Sequence, residues 1–379
     1  MNIIKKSALA ATLFLAGAAM LGGTTSAFAA QEASSLMKNS SIENFGRDTR
    51  VFKTDASIQV KKVHFQNRYG ISVTGDLYLP PNFDEQKKYA AVALSGPFGA
   101  VKEQVSGLYA QELARRGFVA VAFDPSFTGE SGGNVRDVAS PDIFTEDFSA
   151  AIDFIGMLPY VDRERLGAMG ICGLSGPAIT AATNDLRIKA VAVSAMYDMV
   201  DSIRNHYKGD YYTPKQREIV KQYLAEMRWK EAEKGSSIPG YHEIPVDKDG
   251  KVIRMGKKLL PDKLPEGADS VTKEFFDYYC GRAYHERSIN SAAAWSSTTP
   301  YGFFNFPLDS HIEEISPRPI MLITGDKAHS KYHSDDVYKR AKKPKELLVV
   351  PGATHTDLYD QLDKIPFDKL AAYFNQYLK

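Results

Sequence analysis

The chain has 379 residues, 44% of them hydrophobic and 25% charged, which is enough apolar material for one large domain with an insertion or for two domains. Lysine and arginine total 47 against 46 aspartates and glutamates, so no net field draws the protein to a polyanion and no nucleic-acid partner is expected. Two cysteines without a Cys-x-x-Cys pair, and histidines without a His-Glu-x-x-His spacing, leave no expectation of a metal or a cofactor.

Lys5 and Lys6 precede an apolar stretch from Ala8 to Leu21 and then Ser26-Ala-Phe-Ala-Ala30. This order reads as a secretory signal peptide over 1–29, cut after Ala29. The stretch is short for a membrane span, so no stable insertion after processing is expected, and the mature protein is expected in a periplasm or outside the cell. Residues 30–55 are polar and read as a flexible leader.

Alternation in Ser57–Phe65 and Ile71–Leu79 predicts an antiparallel pair. Tyr89–Ser95 is a continuous apolar run and predicts a buried strand, followed by a helix around Leu108 and Leu113 and a strand over Phe118–Phe123. A helix around Ile143–Met157, the strand Leu166–Ile171, a helix through Ile179–Ala182 and the strand Ile188–Ser194 repeat the pattern. After an interruption come Pro319–Thr324, a helix around Asp335–Ala341, the strand Glu346–Val350 and a helix from Phe367 to Tyr377. Strands alternating with helices imply an α/β fold with a mostly parallel central sheet and helices on both faces.

The interruption, 199–315, reads as an inserted, mainly helical cap, with 56–198 and 316–379 as the core. Thr213 with Pro214 marks a helix start, Ile219, Tyr223 and Met227 keep helical spacing, and Gly235 marks its end. The aromatic residues Tyr278, Tyr279, Tyr284, Trp295, Tyr301, Phe303, Phe304 and Phe306 either line a substrate pocket or form the cap's own small core.

At Cys172 the apolar run breaks into a small-residue turn that continues as a helix, the strand–elbow–helix context that presents a nucleophile. Gly170 suits the sharp turn, but Leu174 stands where a small residue is expected, so the helix should pack less closely against the strand. A disulfide between Cys172 and Cys280 is the competing reading. Two serines compete for the role. Ser131 in Gly129-Glu-Ser-Gly-Gly133 matches Gly-x-Ser-x-Gly but opens no helix, and Ser175 lies inside the first helical turn, where it reads as a cap.

The ordered set Leu94-Ser-Gly-Pro-Phe98, Phe123-Asp-Pro-Ser-Phe-Thr-Gly-Glu-Ser131, Gly170-Ile-Cys-Gly173, Gly325-Asp-Lys-Ala-His-Ser330 and Pro351-Gly-Ala-Thr-His355 resembles the α/β-hydrolase superfamily. Within it, the set looks most like the dienelactone-hydrolase-related proteins with a Cys in the elbow. The resemblance implies the α/β-hydrolase fold, Cys172 as nucleophile and His355 as base. His355 also follows the last strand, where a loop can aim an imidazole across the sheet edge, and the order nucleophile, acid, His is the one this fold uses.

The acid departs from the family pattern, because Ala328 stands where an Asp is usual. Asp326 is preferred, Asp198 is second, and no acid at all is the third reading, since a thiol depends less on an oriented imidazole than a hydroxyl does. The N–H groups of Phe98 and Gly173 are expected to form the oxyanion hole, and Lys102 and Glu103 either contact the thiol or start an exposed helix. The function expected is hydrolysis of a small ester, lactone or thioester. The alternatives are a non-catalytic binding protein on the same scaffold, or a peptidase or acyltransferase using the same site.

Overall fold

Short runs of small and β-branched residues, bounded by glycine, proline or helix, build a nine-stranded sheet. The computed structural model describes residues 39–206, 212–253 and 257–379. The expected signal peptide over 1–29 and residues 30–38 of the expected leader lie outside the described residues. The rest of that leader is more ordered than its polarity suggests. Ser41–Asn44 forms edge strand β1, antiparallel to β2 (Gln59–Gln66). The Arg50 guanidinium lies 4.8 Å from the centre of the Phe45 ring, and the Val51 N–H donates to the Glu103 carbonyl at 3.0 Å.

β3 (Ser72–Leu79) pairs antiparallel with β2 and with β5 (Val119–Phe123), while β4 (Tyr89–Ser95) lies between β5 and β6 (Val161–Ile171). From β5 the parallel part runs through β4, β6 and β7 (Ala190–Ser194) to Ile320–Gly325 and Lys345–Val350. Parallel strands need covering on both sides, and the side-chain alternation shows how this is met. Ala91, Ala93, Val119, Val121, Ala168, Val191 and Val193 join the core that holds the helices Pro141–Met157 and Ser175–Asn184. Their chain neighbours Val92, Leu94, Ala120, Ala122, Met169 and Ala192 join a second core beneath the helices Val105–Arg115 and Phe367–Tyr377.

The regular elements in the described part of 199–315 are mostly helices, among them Met199–Asn205, Pro214–Lys234, Ser270–Phe276 and Ile289–Ala292, with irregular chain between them. The longest is stopped at both ends by its sequence. Thr213 accepts from the Gln216 N–H and Gln216 answers to the Thr213 N–H, a reciprocal cap, and Gly235 closes the helix at φ 70°. Its buried stripe is Val220, Leu224 and Met227, with Ile219 and Tyr223 partly buried beside it. Ser41–Lys379 is one compact unit, so the insertion and the sheet share a body.

Candidate active site

β6 ends at Ile171, and the next residue turns sharply. Cys172 has φ 53°, the left-handed region that side chains other than glycine seldom occupy, and a single 3-10 turn over Cys172–Leu174 leads into the helix Ser175–Asn184. The turn closes only because Gly170 lacks a Cβ, which would stand 2.4 Å from the Leu174 carbonyl oxygen. Leu174 stands where a small residue was expected. It is fully buried, and room for it comes from Gly96 in the neighbouring loop, where a Cβ would stand 3.0 Å from the Leu174 Cβ.

Two backbone N–H groups, of Gly173 and Phe98, donate to the Cys172 sulfur, so the two expected oxyanion donors and the expected nucleophile are brought together. The Phe98 loop is held from the insertion: Asn290 Nδ2 donates to the Phe98 carbonyl at 2.8 Å, and Ser288 Oγ to the Gly99 carbonyl at 2.9 Å. Sequence reasoning missed both side chains, whose partners are about 190 residues away along the chain.

His355 reaches the same edge of the sheet, fully buried, but no hydrogen bond joins it to Cys172 among the described residues. Tyr359 stands between them. Its hydroxyl is 2.9 Å from His355 Nε2 and is also hydrogen-bonded to Cys172 and Tyr279. The other imidazole nitrogen, Nδ1, lies 2.6 Å from Ser330 Oγ. Tyr359 follows His355 by four residues, in the short helix Asp357–Asp360 that begins just after it, and this close spacing was the available signal. Ser330 carried none.

Ser330 thus holds the place at the imidazole for which an acid was expected. Asp326 instead accepts from the Gly352 N–H at 2.7 Å. Asp198 caps the helix Met199–Asn205, accepting from the N–H groups of Val200 and Asp201 at 2.9 and 3.0 Å. A carboxylate approaches this network through a second imidazole: Glu274 lies 3.3 Å from Nδ1 of His329, whose ring centre is 4.9 Å from that of His355.

Burial sets the protonation of the pair. It pushes the Cys172 thiol up to about 11, against the pull of Tyr359 and the two amides, and it holds His355 well below the usual histidine range, helped by His329 and His333. At neutral pH the resting site is therefore a thiol beside a neutral imidazole.

The rivals have structural work. Ser131 Oγ donates to the Asp124 carbonyl at 2.6 Å and accepts from the Thr74 N–H at 2.8 Å. Ser175 does not cap its helix; its hydroxyl turns back to the Gly170 carbonyl at 3.3 Å. Cys172 and Cys280 are both free thiols. Lys102 neither contacts the thiol nor lies exposed. It is buried with Nζ 2.8 Å from Glu103, 3.2 Å from Asp124 and 2.6 Å from Glu130. The aromatic residues of the insertion divide: Tyr278 and Tyr279 pack on Tyr359, Trp295 and Phe303 pack on Phe98, and Tyr284 and Tyr301 are exposed.

A doubly covered, mostly parallel sheet with a sharp strand–helix turn at its carboxyl edge gives the chain the α/β-hydrolase fold, and it belongs to one family with a relative that it matches over nearly the whole length. It is 47% identical over 369 residues to the uncharacterized protein PA2218 of Pseudomonas aeruginosa, covering 96% of this chain and 94% of that one. The crystal structure of PA2218 superposes with a TM-score of 0.80 at 48% identity over 89% of this chain and 99% of that one. Residues 70–235 match the X-Pro dipeptidyl-peptidase (S15) family. Thiohydrolase aneE of Aspergillus aculeatus is 24% identical over 300 residues, 79% of this chain and 84% of its own. The α/β hydrolase GrgF from Penicillium shares the fold at a TM-score of 0.64 and 19% identity, over 84% and 98% of the two chains.

Proposed function

We propose that the protein is an exported, cofactor-independent acyl hydrolase that opens an ester, lactone or thioester through attack by Cys172. The observation that carries this reading is the convergence on one sulfur of two amides and a tyrosine hydroxyl that leads to an imidazole. As the sulfur attacks the carbonyl carbon, its proton passes to the Tyr359 oxygen while the Tyr359 proton passes to His355 Nε2. A neutral imidazole with its remaining proton on Nδ1, directed at Ser330, is the form able to accept it. The carbonyl oxygen takes up negative charge where the Phe98 and Gly173 amides point. Collapse releases the alcohol or thiol, which recovers the proton by the same route, and water then cleaves the acyl-enzyme with His355 acting through Tyr359.

The thiohydrolase relative supports a thioester, and the dienelactone-like elbow supports a lactone. The S15 match favours a second reading, cleavage of a peptide bond after proline. A panel of aryl esters, acyl thioesters and X-Pro anilides separates them. Cys172→Ala should abolish turnover, and His355→Ala should lower it by about 10²–10⁴-fold. Turnover equal in wild type and Cys172→Ala would remove the mechanism, absence of turnover on every substrate would favour a binding protein, and turnover of the anilides alone would favour the peptidase.

A further inference from the structure

The insertion brings a carboxylate toward the thiol that the proton route does not use. Glu243 lies between two imidazoles, His206 Nε2 at 3.7 Å from one oxygen and His242 Nε2 at 4.0 Å from the other. Both separations exceed hydrogen-bond length, and no described residue donates a hydrogen bond to Glu243. The His242 ring is 5.5 Å from that of Phe98, whose N–H points at the Cys172 sulfur. The Glu243 charge is felt at that sulfur and at Tyr197, whose own N–H donates to the Cys172 carbonyl at 3.1 Å.

Glu243 and His242 keep 21% and 23% of their side-chain surface open, so each presents a face that no protein atom covers. Burial keeps the imidazoles uncharged, His242 being lowered to about 4 and His206 also lowered, so neither offers Glu243 a positive charge above about 7, where its raised carboxyl ionises.

Resting on the hydrolase reading above, we propose that Glu243 receives a positively charged ammonium or guanidinium group on the acyl part of the substrate, making cationic acyl esters or thioesters the preferred class. The carboxylate lies in the insertion and the sulfur on the sheet edge, so the length of chain between cation and carbonyl is selected as well as the charge.

The test compares thiophenyl esters of terminal-amino hexanoic and octanoic acids with methyl-ended chains of matched length, above the Glu243 pKa of about 7. For at least one length, wild type should favour the amino chain in kcat/KM by about tenfold or more, mainly through KM, and Glu243→Gln should bring the ratio to about one. A wild-type ratio of one or less at both lengths, or a preference that survives in Glu243→Gln, overturns the proposal. Calorimetry with the corresponding terminal-amino amides, which carry no activated leaving group, separates the two readings. Binding that is lost in Glu243→Gln without turnover of any ester upholds the cation site and removes the hydrolase. Turnover of the methyl-ended chains with neither preference nor amide binding upholds the hydrolase and removes the cation site.

Discussion

Tyr359 changes what each neighbouring residue must do. A sulfur and an imidazole in direct contact can exchange charge at rest, but with a hydroxyl between them the proton moves only when both bonds of the relay shift together. Tyr359→Phe removes the relay and little volume. It is expected to lower kcat by about 10²-fold or more with little change in KM and an unchanged fold by circular dichroism. A loss below twofold would make Tyr359 a spacer. The same burial predicts an order of chemical modification. The Cys172 thiol is raised to about 11 and only 7% of the residue is exposed, whereas Cys280 is partly exposed and also raised by burial. Because the thiolate is the reacting form, iodoacetamide at neutral pH should label Cys280 first, read by peptide mass spectrometry. Faster labelling of Cys172 would mean that the empty site ionises its thiol. This expected order reverses the one that an imidazolium-activated thiol would give.

At the scale of elements, the elbow works by removing atoms. A Cβ on Gly173 would stand 2.7 Å from both the Met199 sulfur and the Phe98 Cβ, so Gly173→Ala must push apart the two amides that face Cys172. The expected cost is about 1–3 kcal/mol of stability, from overpacking, together with a fall in kcat. A thermal melt and a single rate measurement check it, and full activity at wild-type stability would show that the loop yields. Most of these elements could be read in advance. Tyr89–Ser95 and Phe367–Tyr377 form at the bounds their patterns predict, because doubly buried strands and a helix face with apolar spacing leave few alternatives. β1 escaped notice because all four of its residues are exposed, and it is held by backbone pairing with β2 and a hydrogen bond from Lys61 to the Asn44 side chain rather than by apolar burial. Lys102 escaped for a different reason: its cost of burial is offset by Asp124 and Glu130, brought in by another loop. Cys172, His355, Phe98 and Gly173 could be placed at one edge by strand order, whereas Ser330 and Glu243 depend on loop paths that no local pattern encodes.

Across the whole molecule, buried titratable groups pull stability in opposite directions with pH. Burial raises Asp147 from 3.8 to about 6, so between these values the folded state holds a proton that the unfolded state has released, and this contribution fades as pH rises. His333 is lowered from 6.5 to about 3, so the unfolded chain takes up a proton that the folded one refuses, and stability is lost as pH falls through this window. Removing each should tilt the dependence in opposite senses. Between pH 4 and 6, Asp147→Asn should make Tm rise more steeply with pH and His333→Gln less steeply, as thermal melts across this interval will read. Slopes that move in the same sense would contradict the assignment. The hydrogen bonds from Asn290 and Ser288 to the Phe98 loop carry a separate consequence. On the proposed reading, the insertion that would receive the substrate also braces the loop that carries the Phe98 N–H. Recognition and reaction therefore cannot be exchanged as separate modules: a graft that replaced 199–315 with a foreign segment would bring a new pocket but leave the donor loop without its anchors.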